Sequence, residues 1–171
     1  MTNTERAQRI KLLVMDVDGT LTDGAMYFSE RGEELKRFST RDGMGITLLH
    51  RAGIQTAIIT SENSPIVSRR AEKLRISEVM LGCRDKTTTL LELARRMDLA
   101  AQDIAYIGDD INDLHVMQLC GLTACPSDAV DAIKEHANIT CCALGGNGAV
   151  REFAEFILVA QNKPITLPEQ W

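Results

Sequence analysis

Four polar groups stand where apolar, strand-like runs of the chain come to an end. Asp16 and Asp18 follow the run 10–15, Thr60 closes the run 56–59, and Lys86 comes a short loop after the run 79–81. Asp109, Asp110 and Asp113 follow the run 104–107 and Gly108. Carboxylates gathered in this number repel one another unless a cation lies between them. Their hard oxygens select Mg²⁺ over softer metals. A magnesium ion, a lysine ammonium and a threonine hydroxyl together suit a phosphoryl group, whose charge must be neutralised as its bond to the leaving oxygen breaks. An aspartate in such a place can also attack phosphorus itself and form an aspartyl-phosphate.

These groups meet only if the runs that carry them are neighbouring parallel strands. Helical stretches separate the runs: Met44, Leu48, Leu49 and Ala52 share one helical face ahead of Gly53, and further helices are expected over 65–74, 87–97, 112–120, 129–136 and 149–160. Additional strands are expected at 122–125 and 139–141. Such alternation predicts an α/β fold, a doubly wound parallel sheet covered on both faces, with its ligand beyond the carboxyl ends of the strands. The segment 24–39 departs from the pattern. Its halves, 25–29 and 34–39, flank the polar turn Glu30-Arg31-Gly32-Glu33, which predicts a β-hairpin flap. The tail 162–171, with Pro164, Pro168 and Trp171, is expected to be extended.

Composition narrows the function classes. A chain of 171 residues with 44% hydrophobic and 25% charged residues fills one core, so residues 1–171 are expected to form a single domain. A net charge of -5 argues against nucleic acid as a partner. No apolar run is long enough to cross a bilayer, and residues 1–9 lack the apolar centre of a signal peptide. The five cysteines form no CxxC pair and sit near no histidine at zinc-finger spacing, as expected of reduced thiols in a cytoplasmic protein.

The stretch Asp16-Val17-Asp18-Gly19-Thr20-Leu21-Thr22 resembles the first motif of the haloacid dehalogenase superfamily, and Thr60, Lys86 and Gly108-Asp109-Asp110-Ile111-Asn112-Asp113 resemble its second, third and fourth in order. The resemblance implies a Rossmann-like phosphatase. Asp16 would be nucleophile and metal ligand, and Asp18 the acid that protonates the leaving oxygen and later activates water. The Asp18 carbonyl and Asp109 would complete the Mg²⁺ ligands, Thr60 and Lys86 would hold the phosphoryl group, and of Asp110 and Asp113 one would orient Lys86 or a metal-bound water while the other sits at a helix N-terminus, where acids are favoured. Neither interval between these motifs has room for a cap domain, so the pocket would lie open in a monomer.

The hairpin, the segment Arg41-Asp42-Gly43-Met44-Gly45 and the late stretch Gly145 to Glu152 resemble capless members, the 3-deoxy-D-manno-octulosonate 8-phosphate phosphatases. That likeness implies a homotetramer whose neighbouring subunits close the site over a phosphorylated 2-keto-3-deoxy sugar acid. One departure bears on the substrate. Thr60-Ser61-Glu62 replaces the Thr-Gly-Arg usual in that family, and Glu62, Arg70 and Lys73 resemble the branch acting on the nine-carbon 2-keto-3-deoxy-nononate 9-phosphate and N-acylneuraminate 9-phosphate. The nine-carbon acid is therefore the expected substrate, with the eight-carbon phosphate as the alternative. Ser61, Glu62, Arg70 and Lys73 are the candidate substrate contacts, with Arg70 and Lys73 on one helical face. Asp42 is a further candidate, or else a turn-forming Asp-Gly. Arg151 faces substrate, a neighbouring chain or a helical salt bridge.

Two other functions use similar residues. A phosphorylated receiver also combines Asp, Thr, Lys and Mg²⁺, but its acidic pair precedes a lone phosphoacceptor on a later strand. A silent regulatory subunit would not need the complete catalytic set. His50, His115 and His136 share no spacing that suggests a metal site.

Overall fold

The structure is a computed structural model, and residues 1–169 are described; the expectation for Trp171 lies outside them. In chain order the elements are α1 (Asn3–Ala7), β1 (Leu12–Met15), β2 (Tyr27–Ser29), β3 (Gly32–Leu35), α2 (Thr40–Arg51), β4 (Gln55–Ile59), α3 (Pro65–Leu74), β5 (Glu78–Met80), α4 (Lys86–Arg96), β6 (Ile104–Ile107), α5 (Leu114–Met117), β7 (Leu122–Cys125), α6 (Asp131–Lys134), β8 (Ile139–Thr140) and α7 (Ala149–Ala160). Six strands form one parallel sheet in the order β5-β4-β1-β6-β7-β8.

The strands read as unbroken apolar runs because both faces of the sheet are covered. Leu13, Met15, Ile58, Ala105 and Ile107 point to one side, where they pack with Ile46 and Leu49 of α2, Val67 of α3 and Phe153 of α7. Leu12, Val14, Ala57, Ile59 and Tyr106 point to the other, against Leu90 and Leu93 of α4, Val116 and Met117 of α5 and Ile133 of α6. Each fully buried aliphatic or aromatic side chain contributes about 1.5–3 kcal/mol relative to leaving it exposed. Chain order reverses at β1, whose two neighbours are β4 and β6, and the crevice at that point is where such sheets hold ligands. No helix among the described residues is long and apolar enough to cross a membrane.

Three local differences from the sequence-based expectations have physical causes. The stretch expected as one helix over 112–120 begins as a 3-10 turn, Ile111–Asp113, before the short α5. The buried Asp113 carboxylate is drawn inward to three donors, the Lys86 ammonium, the Tyr106 hydroxyl and the Asp109 N–H, which fixes the turn. The hairpin is tighter than expected: Ser29 pairs with Gly32 across Glu30 and Arg31, and Gly32 adopts φ 110°, a conformation that favours glycine. Helix α1 went unforeseen although Thr2 and Glu5 form a capping box: the Thr2 hydroxyl accepts from the Glu5 N–H at 3.2 Å, and the Glu5 carboxylate accepts from the Thr2 N–H at 2.7 Å. Beyond α7, residues 163–169 form neither helix nor strand, and Leu167 packs against the core.

Candidate active site

The ends of β1 and β6 bring Asp16 and Asp109 together, and the first turn of α4 delivers a lysine beneath them. Asp85 caps α4 by accepting the Thr88 N–H at 3.0 Å, and the next residue, Lys86, is buried. Its Nζ donates to Asp16 Oδ1 and to Asp113 Oδ1, each at 2.7 Å. Asp113 Oδ1 also accepts from the Tyr106 hydroxyl at 2.7 Å, and its Oδ2 accepts from the Asp109 N–H at 3.1 Å. Asp113 is thus committed to holding Lys86, Tyr106 and the Asp109 backbone in register. The Thr20 hydroxyl donates to Asp109 Oδ1 at 3.3 Å. Gly19, at φ 86°, lies so close that an added Cβ would stand 2.0 Å from Asp109 Oδ2, which leaves room for no other residue.

Electrostatics here are governed by burial. The Asp16 carboxyl is pushed up to about 8 by burial and by Asp113, against the pull of Lys86. Burial and Asp113 likewise push Asp109 up to about 7. Burial works against the Lys86 ammonium, but Asp16 and Asp113 more than offset it and hold that group above its ordinary range. One oxygen from each of Asp16, Asp109 and Asp113 lies within 4.8 Å of the others. Since Asp113 is already occupied by three protein donors, Asp16 and Asp109 are the carboxylates available to a cation, and this all-oxygen set fits a hard divalent ion. Such an ion would return both raised carboxyls to their ionised form.

Above the floor opens a pocket of about 270 Å³ lined by Asp16, Asp18, Thr60, Ser61, Glu62 and Asp109, with Asp110, Ile111 and Asn112 on its far wall. A larger groove along β5, lined by Glu78, Met80, Thr89 and Arg96 among others, lies apart from these carboxylates. Thr60 is buried at the end of β4, and its hydroxyl accepts from the Glu62 N–H at 3.3 Å. Ser61 accepts from Asn112 Nδ2 at 3.5 Å. The exposed Asp110 accepts the Ile111 N–H at 2.7 Å, so it shapes the turn and does not reach Lys86 through the bonds seen for Asp113.

Other sequence candidates lie elsewhere. Asp42 is corrected: its buried carboxylate accepts from the Gly148 N–H at 3.2 Å and the Arg151 N–H at 2.9 Å, capping α7 instead of lining the pocket. Arg70 donates to the Ser39 carbonyl at 2.9 Å and stacks on Phe38 with its guanidinium carbon 5.5 Å from the ring centre. Lys73 is exposed on a separate groove beside Thr47, His50 and Arg51. Arg151 pairs with Glu155 at 2.6 Å along α7. His50 bonds the Thr56 hydroxyl at 2.6 Å, and His136 bonds the Ala132 carbonyl.

The residues missed from sequence are Tyr106, Lys36, Glu33 and Ser64. Tyr106 reads as core, yet a buried phenol needs a partner, and the nearest acidic motif was the available signal. Lys36 donates to Asp18 Oδ1 and, at 2.7 Å, to Glu33 Oε1; Glu33 in turn accepts from the Ser64 hydroxyl. Asp18 Oδ2 is buried and has no hydrogen-bond partner.

Residues 59–150 match the haloacid dehalogenase-like hydrolase family. The chain is 38% identical over 159 residues to the 3-deoxy-D-manno-octulosonate 8-phosphate phosphatase of Haemophilus influenzae, covering 93% of this chain and 88% of that protein. Among solved structures, a probable phosphatase of the YrbI family from Pseudomonas syringae superposes with a TM-score of 0.91 at 45% identity, covering 93% of this chain and 90% of that one. The octulosonate 8-phosphate phosphatase of Moraxella catarrhalis, in complex with magnesium, phosphate and the octulosonate, superposes with a TM-score of 0.91 at 39% identity and covers 94% and 92% of the two chains. Two of these three relatives carry the eight-carbon substrate in their names and none carries a nine-carbon one, so the expected nine-carbon reading, built on Glu62, finds no support among them. The motif order, the parallel sheet reversing at β1 and this similarity along the chain agree: the protein belongs to the haloacid dehalogenase-like hydrolase family.

Proposed function

We propose that the protein is a magnesium-dependent phosphatase that hydrolyses the terminal phosphate of a 2-keto-3-deoxy sugar acid, 3-deoxy-D-manno-octulosonate 8-phosphate in the first place. The observation that carries the reading is Lys86 buried between Asp16 and Asp113 at the floor of a pocket that Asp18 and Asp109 also line. Asp16, Asp109 and the Asp18 carbonyl would hold Mg²⁺, which when bound neutralises charge on the phosphoryl oxygens.

The chain's own groups account for the rest. A carboxylate oxygen of Asp16 forms a bond to phosphorus as the ester P–O bond breaks, and Asp18 gives a proton to the departing sugar oxygen. Asp18 then takes a proton from the water that attacks the aspartyl-phosphate, which releases inorganic phosphate and restores Asp16. Lys86 offsets the negative charge of Asp16 and of the phosphoryl group through both steps. Thr60 and Ser61, at the end of β4, face the same pocket and supply donors to the phosphoryl oxygens.

Assembly as a homotetramer completes the reading. Met26, Phe28 and Leu35 of the hairpin are 60%, 61% and 62% exposed, an apolar surface suited to a second copy of the chain. Arg70 and Lys73 lie outside their own chain's pocket, where a neighbour's pocket can use them. The test is phosphate release with Mg²⁺ from the eight-carbon and nine-carbon acids, with solution mass measured in parallel. Higher kcat/KM for the eight-carbon ester in a tetramer is expected. A preference for the nine-carbon ester would move the substrate, and a fully active monomer would remove the shared site.

A further inference from the structure

The base of the hairpin carries one side chain that behaves unlike its neighbours. Residues 24–31, Glu34, Leu35 and Arg37 are exposed, yet the Lys36 side chain is 1% exposed. Burying an ammonium is costly unless it is paired, and Lys36 is paired twice, with Asp18 Oδ1 and with Glu33 Oε1. The Ser64 hydroxyl, at the start of α3 just past Thr60 and Ser61, donates to the other oxygen of Glu33. The base of the hairpin is itself fixed, by a bridge between Thr22 and Phe38 and by Arg37, which bonds the Gly146 carbonyl at 3.4 Å and lies 3.5 Å from Asp23. The network therefore joins the loop after β1, the hairpin and the loop after β4 through one ammonium.

We propose that Lys36 is a positioning residue that holds the Asp18 carboxyl by Oδ1 and so fixes the direction from which Asp18 exchanges its proton with the reacting groups. The inference rests on the acid/base role assigned to Asp18 above. Three observations carry it. Asp18 Oδ1 is bonded and Oδ2 is buried without a partner, so the two oxygens are not equivalent. Asp18 lines the pocket alongside Asp16. Lys36 has both carboxylates within bonding reach already, which leaves it no free charge for an anionic substrate. A carboxyl anchored through one oxygen is held in a single orientation, which is what transfer of a proton to a departing alkoxide requires.

The experiment compares two substrates on the Mg²⁺-loaded full chain. A sugar alkoxide leaves only with a proton, whereas p-nitrophenolate leaves without one, so kcat/KM on p-nitrophenyl phosphate bypasses the acid. Lys36→Met is expected to lower kcat/KM on 3-deoxy-D-manno-octulosonate 8-phosphate about 30-fold and on p-nitrophenyl phosphate less than about 3-fold, the scale of a misplaced catalytic group. Lys36→Arg should recover part of the loss. In an Asp18→Asn background Lys36→Met should add nothing, because the two act as one unit. Equal losses on both substrates, no loss on either, or a multiplicative loss in the double variant would overturn the proposal. Glu33→Gln and Ser64→Ala, which loosen Lys36 from outside the pocket, carry the same comparison should Lys36→Met fail to fold: an unequal loss supports the proposal and an equal or absent one overturns it. Full activity of Asp18→Asn on the sugar phosphate would instead overturn the acid/base reading itself.

Discussion

The floor of the pocket and its rim are built on opposite terms. On the floor, Asp16, Lys86 and Asp113 are buried, and Asp113 is bonded to Lys86, Tyr106 and the Asp109 backbone at 2.7–3.1 Å. On the rim, Glu62, Asp110, Ile111 and Asn112 are exposed, and Arg70 and Lys73 face other parts of the surface. Phosphoryl chemistry needs charges fixed before substrate arrives, because each is then effective without reorganisation. Recognition of a sugar needs no such burial within one chain, and a neighbouring copy can supply it.

The contrast breaks most sharply at Asp16. Asp16→Asn keeps the shape of the side chain and a partner for Lys86 in Asp113, so the fold should survive while sugar phosphate hydrolysis falls by about 10³-fold or more. Phosphate release and a melting curve measure the two together. Substantial residual turnover would mean that the floor is not where the covalent bond forms.

Next in size is the response to pH and metal. The Asp16 and Asp109 carboxyls stand near 8 and 7 in the metal-free fold against an ordinary 3.8, so the folded state binds these protons more tightly than the unfolded chain. Their contribution to stability is complete below about 4 and is lost as pH rises through about 7 and 8. Magnesium binds the ionised forms and restores that stability, so the rise in Tm on adding Mg²⁺ should be small near pH 5 and grow toward pH 8.5. A rise in Tm that is flat across this range would separate the ion from these carboxylates.

Tyr106 sharpens the comparison from beneath. Tyr106→Phe removes one donor to Asp113 and leaves the other bonds in place. We expect kcat to fall about 3- to 10-fold with KM unchanged, and stability to fall by about 1 kcal/mol, the net value of one hydrogen bond. A changed KM would show that the floor reaches into recognition.

The same division explains what could be read without coordinates. The strands at Leu12, Gln55, Ile104 and Leu122, the helices over α3 and α7 and the gathering of Asp16, Thr60, Lys86 and Asp109 all follow from local patterns, namely apolar runs and motif spacing. Lys36, Glu33 and Ser64 were not legible, because the bonds that tie the hairpin to Asp18 and to Ser64 span 18 and 31 residues and no local pattern marks a hairpin lysine as buried. Asp42 was misread for a similar reason: its partners at Gly148 and Arg151 lie more than a hundred positions away, and a turn or a pocket offered the nearer account. Arg70 and Lys73 do sit three residues apart on α3, but spacing fixes which residues share a helical side and not what that side meets.

The smallest expected effects belong to the rim, and they decide whether it is completed by a second chain. Lys73 is exposed and lies on a groove beside Thr47 and Arg51, so Lys73→Ala should change stability by no more than about 0.5 kcal/mol. If a neighbouring subunit offers this ammonium to the substrate's carboxylate, KM on the eight-carbon ester should still rise about 3- to 10-fold with kcat unchanged, the mark of binding energy shared by ground and transition states. On p-nitrophenyl phosphate, which has no sugar carboxylate, the same variant should act as the parent does. Mutating Phe28 and Leu35 to serine, to make the hairpin polar and disperse the proposed tetramer, should then reproduce the KM change with Lys73 intact. A Lys73 variant that matches the parent on both substrates would return that residue to the solvent and leave recognition to Glu62 and the hairpin of the same chain.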